Sequence, residues 1–96
     1  MALLDDVKVA LRISASNTSF NTEINDLIGA AQRDLLVAGI KVTDTADPLI
    51  KRAIVTYCKA HFGYDNPEAE RFEKAYKAIK LHLMLSSEYG GTADAV

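Results

Sequence analysis

The chain has 96 residues, 49% hydrophobic and 25% charged, with a formal net charge of −2 and a single cysteine, Cys58. That size suits one compact domain, the mixed composition excludes a disordered or disulfide-stapled class, and the slight acidity speaks against a protein that grips nucleic acid nonspecifically. Its apolar runs are too short to span a membrane, and Met1 to Asp6 has no basic stretch leading into an apolar one, so the expectation is a chain made in a reducing cytoplasm.

In chain order, Leu4, Val7 and Leu11 share one helical face, with Asp5 and Asp6 in the first turn and Arg12 in the last. Acid first and base last is the order the helix dipole favours, and it predicts a first helix over about Leu3 to Ile13. Ser14 to Phe20 is small and polar apart from its last residue and reads as a loop. Asn21 is the expected cap of a second helix, whose Ile24, Leu27, Ile28, Ala31, Leu35 and Ala38 recur at amphipathic spacing. Gly39 ends that helix, with Ile40 placed to touch Leu35 in a Schellman closure. Lys41 to Ala46 is too brief to build a sheet and is read as a connection.

Asp47 to Phe72 then starts a helix, stops it and starts the next. Asp47 can accept from the orphan N–H groups of the first turn, and Pro48 at the first helical position gives up a donor that has no partner anyway. The third helix, Pro48 to Phe62, places Ile50, Ala53, Ile54, Tyr57, Cys58 and His61 on one face and Arg52, Thr56 and Lys59 on the wet one. Gly63 supplies a left-handed stop, Tyr64 is positioned to fold back on the last turn, and Asn66-Pro67 repeats the entry device. The fourth helix, Pro67 to about Ser86, carries a Phe72, Tyr76, Ile79, Leu83 seam. Its C-terminal half also holds Leu81, Met84 and Leu85, more apolar surface than one core stripe needs. These three, together with Tyr89, are the candidate subunit interface. The expected division is a helical domain over 1–86 and a mobile tail over 87–96, glycine-containing and aperiodic.

The fold class is therefore all-α: a small four-helix domain with short loops and a flexible C-terminal tail. The sequence shows little chemistry. Cys58 and His61 sit three apart and could be imagined as metal ligands or as a nucleophile with its base, but there is no second cysteine, and His82, between Leu81 and Leu83, belongs at a helix edge. Cys58 and His61 are read as core. Asp5, Asp6, Glu68 and Glu70 fall in first helical turns, where negative charge is stabilising without a catalytic purpose. Gly90-Gly91 lacks the downstream lysine and helix of a phosphate loop. No catalytic, cofactor-binding or metal-binding residue is expected, and no cofactor. Lys74, Lys77 and Lys80 form a basic streak, a candidate contact face for DNA or an acidic partner; Glu70 and Glu73 stand four residues before the first two and favour intrahelical pairs, leaving Lys80 without an acidic residue at that spacing.

The LDDVK and LRI of Leu4 to Ile13, the amphipathic run from Glu23 to Leu35 and the aromatic-rich YCKAHFGYDNPEAERF corner, in this order and spacing, resemble the head-tail connector (adaptor) proteins of long-tailed bacteriophages, also called phage DNA-packaging proteins. The likeness spans about residues 3 to 85. It implies a non-enzymatic virion protein that assembles with identical copies, twelve of them, into a ring beneath the portal protein, extends the DNA channel and offers a platform to a downstream neck or head-completion protein. DNA would pass through without sequence-specific binding, and no membrane is involved. Family members often carry a longer insertion between the second and third helices than Lys41 to Asp47 provides. The competing reading is a small helical DNA-binding regulator, because the corner from Ala60 to Phe72 superficially resembles a helix-turn-helix; Pro67, Glu68 and Glu70 at the head of its second helix are ill suited to base edges and phosphates.

Overall fold

The computed structural model describes residues 3–41, 44–63 and 66–89. Four helices, α1 (Leu3–Leu11), α2 (Asn21–Val37), α3 (Pro48–His61) and α4 (Ala69–Leu85), are followed by a 3₁₀ turn, Ser87–Tyr89, and no strand occurs among the described residues. The all-α, four-helix expectation is thus observed. Helix α3 is the central element, packed on α1, α2 and α4. Its buried Ile50, Ala53, Ile54 and Cys58 meet Val7 of α1, Ile24, Ile28, Ala31 and Leu35 of α2, and Tyr76 and Leu83 of α4 in one continuous core.

Several ends form as their local chemistry dictates. The Asp47 carboxylate accepts from the N–H groups of Leu49 at 2.9 Å and Ile50 at 3.3 Å, with Pro48 in the first turn. At the end of α2, Gly39 takes φ +94° while its N–H donates to Leu36 and that of Ile40 donates to Leu35, the paired bonds of a Schellman motif. Gly63 takes the expected left-handed position, φ +81°, but α3 is already left at the extended Phe62, whose N–H donates to Cys58, and the Gly63 N–H donates to Glu23 of α2.

Other boundaries move. Helix α1 stops at Leu11, and Arg12 takes the left-handed position itself, at φ +63°; Arg12 N–H donates to Val9 and Ile13 N–H to Lys8. This is the same Schellman closure with arginine where glycine is the unstrained residue. Asn21 is not a cap. Ile24 N–H donates to Phe20, so the helix begins one residue earlier, with Phe20 at the cap position and its ring edge-on to Phe62 at 5.4 Å between centroids. Asn21 then lies inside the first turn, where its side chain is no longer aimed at the next free N–H groups.

Asn66-Pro67 likewise precedes α4 instead of opening it. Asn66 Oδ1 accepts from Glu68 N–H at 3.0 Å and its carbonyl accepts from Ala69 N–H at 3.1 Å, so Pro67 occupies a turn and the helix starts at Ala69. Asn66 Nδ2 donates to the Lys59 carbonyl at 2.6 Å and fastens that turn to the end of α3. Within the span expected to be a mobile tail, Ser87–Tyr89 forms the 3₁₀ turn, Tyr89 is buried, and Lys41 N–H donates to its carbonyl at 2.8 Å. The remainder of the tail, and the fold-back assigned to Tyr64, lie outside the described residues.

Candidate functional site: two ends of a helical body

Glu23 accepts from Gly63 N–H, while Asp34 reaches Tyr76 and Lys80. These ties run α2 and α4 side by side in the same direction, with α3 antiparallel to both. The starts of α2 and α4 therefore share one end of the body with the close of α3. The close of α2, the start of α3 and the close of α4 share the other. The body itself is elongated, 47 × 29 × 17 Å.

At the second end, α4 alternates sharply. Leu83 is fully buried, whereas Leu81 is 54% and Leu85 61% exposed. Leu36 and Val37, at the close of α2, are 47% and 73% exposed at the same end. Met84 is only partly open and packs against the core. Tyr89 corrects the sequence expectation: its hydroxyl donates to the Asp47 carboxylate, 3.0 Å from each oxygen, and its buried ring is spent inside the subunit. One carboxylate therefore both caps α3 and anchors the segment after α4.

The supposed basic streak is dispersed. Lys74 lies 3.5 Å from Glu70, and Lys80 reaches across to Asp34 at 3.0 Å. Glu73, expected to serve Lys77, instead meets His61 Nε2 at 2.9 Å, leaving Lys77 without an acidic partner among the described residues. His61 is consequently not core: it is exposed at the surface, its ring tilted against Tyr57 at 4.3 Å. His82 is exposed on α4.

Between α2 and α4, Tyr76 donates to Asp34 at 2.6 Å. That bond first, and the neighbouring Lys80, hold the Asp34 carboxyl below its usual range against the opposing effect of burial. Burial, followed by the adjacent carboxylate, pushes the Tyr76 phenol far up. Burial alone pushes the Cys58 thiol up to about 12, so it stays protonated and a poor nucleophile. No cluster of three or more metal-ligating side chains occurs among the described residues, and none of their helices is long and apolar enough to cross a membrane.

Sequence reasoning missed Lys8 altogether. It is almost fully buried, and its ammonium donates to the carbonyls of Ala15 at 3.2 Å and Asn17 at 2.7 Å, pinning the loop between α1 and α2. Nothing in its neighbours announces this, because the acceptors are main-chain carbonyls seven and nine residues away.

A helical body whose Asp34, Tyr76, Asp47 and Tyr89 side chains are engaged in tying its elements together, and which exposes large apolar side chains, has the character of an assembly component. Over residues 3–90 the chain matches the family model described as phage connector protein, and it belongs to that family. The role that goes with this family is structural: members are parts of the phage particle that meet other head and tail components. No curated protein and no solved structure matches the chain.

Proposed function

We propose that this chain is a ring-forming subunit of the phage head-tail connector, without catalytic activity, which sits beneath the portal, extends the DNA channel and presents a platform to a downstream neck or head-completion protein. The observation that carries the reading is the exposure of Leu81 and Leu85 on either side of buried Leu83. Large apolar side chains at one end of a small body are surface to be covered, and covering a patch on one copy by a different patch on the next is the head-to-tail contact that closes into a ring. Leu81, Leu85 and the margin of Met84 form one half of that contact; Leu36 and Val37 extend it.

The dispersal of Lys74 and Lys80 into ion pairs suits a conduit, since dense lysine contacts to phosphate would retain DNA that must slide. The regulator reading finds no support at the head of α4, where Glu68 and Glu70 are exposed. A dodecamer is the expected closed form. The purified chain, alone and mixed with portal protein, is to be examined by mass measurement and electron microscopy: ring-shaped particles or portal-bound rings are expected. A strict monomer with no affinity for portal would overturn the proposal.

A further inference from the structure

At the end of the body away from Leu81 and Leu85, a groove of about 370 Å³ opens between the close of α1, the close of α3 and the start of α4. Among the described residues its cations are Arg12, Lys59 and Arg71, its carboxylate is Glu68, and Phe72 with Leu11 supplies the apolar surface. Lys59 Nζ and the Arg71 guanidinium both lie over the Phe72 ring, 5.3 and 4.9 Å from its centroid, so an aromatic face holds two cations from different helices. Arg71 is paired with Glu68 at 2.5 Å; Arg12 and Lys59 have no acidic partner among the described residues. Arg12 is the non-glycine residue of the described chain with positive φ. The backbone there favours glycine, yet the position carries an arginine, which lines the groove.

We infer that this groove is a docking site for an acidic segment of a partner protein, which places a carboxylate between Arg12 and Lys59 and an adjoining apolar side chain on Phe72 and Leu11. Charge complementarity selects the occupant: among the described lining residues three cations face one carboxylate, which leaves an excess of positive charge in a chain that is negative overall. The Glu68–Arg71 pair is the same contact made within the chain. A phosphate backbone is the poorer match, because duplex binding draws on many cations spread along a face, whereas here they converge on a concave spot with an aromatic floor. The site is independent of the ring contact proposed above, and its test leaves that surface untouched.

The test is a titration of the isotope-labelled full chain, followed by amide chemical shifts, with a capped peptide of alternating glutamate and leucine. Parallel arms use the glutamine version of the peptide, inorganic phosphate and a short DNA duplex. The expected result is saturable shifts confined to Arg12, Lys59, Asn66 and Arg71 with the glutamate peptide alone. Arg12→Gly removes the cation while relieving the backbone, so it should bind about tenfold more weakly with no fall in Tm. Lys59→Gln should weaken binding similarly. Equal shifts with the glutamine peptide, equal or stronger binding of phosphate or duplex, or unchanged affinity in both variants would each overturn the assignment.

Discussion

The two ends of this helical body are finished by opposite means. Where α2 and α4 close and α3 begins, one half-buried carboxylate, Asp47, gathers two backbone N–H groups and the Tyr89 hydroxyl, and Leu81, Leu85, Leu36 and Val37 stand exposed at the same end. Where α3 closes and α4 begins, aromatic rings gather, Phe20 edge-on to Phe62, and Phe72 carries the cations Lys59 and Arg71 over its ring. The contrast separates two kinds of surface. An apolar skin gains by being covered, through release of water from a broad area, while a charged groove gains by a matched partner and discriminates among partners more than it adds raw affinity. The proposed role asks a subunit both to join copies of itself and to recognise something different, and the two ends suit those two tasks.

Four experiments test this contrast. Leu83→Ala should cost about 2–5 kcal/mol of folding stability in chemical denaturation, since Leu83 is fully buried between the exposed Leu81 and Leu85. Tyr76→Phe should cost about 1.5 kcal/mol by the same measurement, because it removes a hydrogen bond to a partly solvated carboxylate without changing the ring. Arg12→Gly should do the reverse and stabilise by about 1 kcal/mol, as glycine adopts φ +63° without strain. The pair Leu81→Asp and Leu85→Asp should shift folding by no more than about 0.5 kcal/mol each, yet abolish ring formation in mass measurements. If instead the folding cost of Leu81→Asp rivals that of Leu83→Ala, the apolar end is ordinary core and the contrast fails.

The pH dependence follows from the buried acids. Cys58 and Tyr76 have folded pKa values raised above their usual 9.0 and 10.0, so the unfolded chain releases these protons first and high pH favours unfolding. Their contribution is fully present below about pH 9 and is lost as pH rises toward 12. Asp34 is depressed below 3.8; its contribution is present above that value and is lost as pH falls through the lower folded pKa. Stability measured against pH should therefore decline on both flanks, with Cys58→Ala flattening the alkaline limb and Asp34→Asn the acid one. A thiol reagent should label Cys58 only on unfolding.

Much of the fold was legible because its signals are local. Asp47-Pro48 and Gly39 each act on groups within a few residues, and the apolar spacing of α2 and α3 marks most of the residues that are in fact buried. Failures came where a remote contact overrode the local rule. Phe20 takes the cap position from Asn21 while packing on Phe62, and Asn66 is drawn into a turn fastened to Lys59. His61 looked like core by periodicity, but it lies at the edge of the face, where Glu73 of the neighbouring helix offers a charge partner. The left-handed close of α1 at Arg12 had no glycine to announce it.

The four helices, most of their interior positions and the likeness to the connector family are readable from the sequence, because helix periodicity and end-capping are written in residues at most a turn or so apart. Only the tertiary structure decided which surplus groups remain for function. Tyr89 and Lys80 were engaged by partners 42 and 46 residues away, and the cations of the groove were brought together from α3, α4 and the turn that closes α1. Such choices depend on which helix ends meet in space, and no local pattern encodes that.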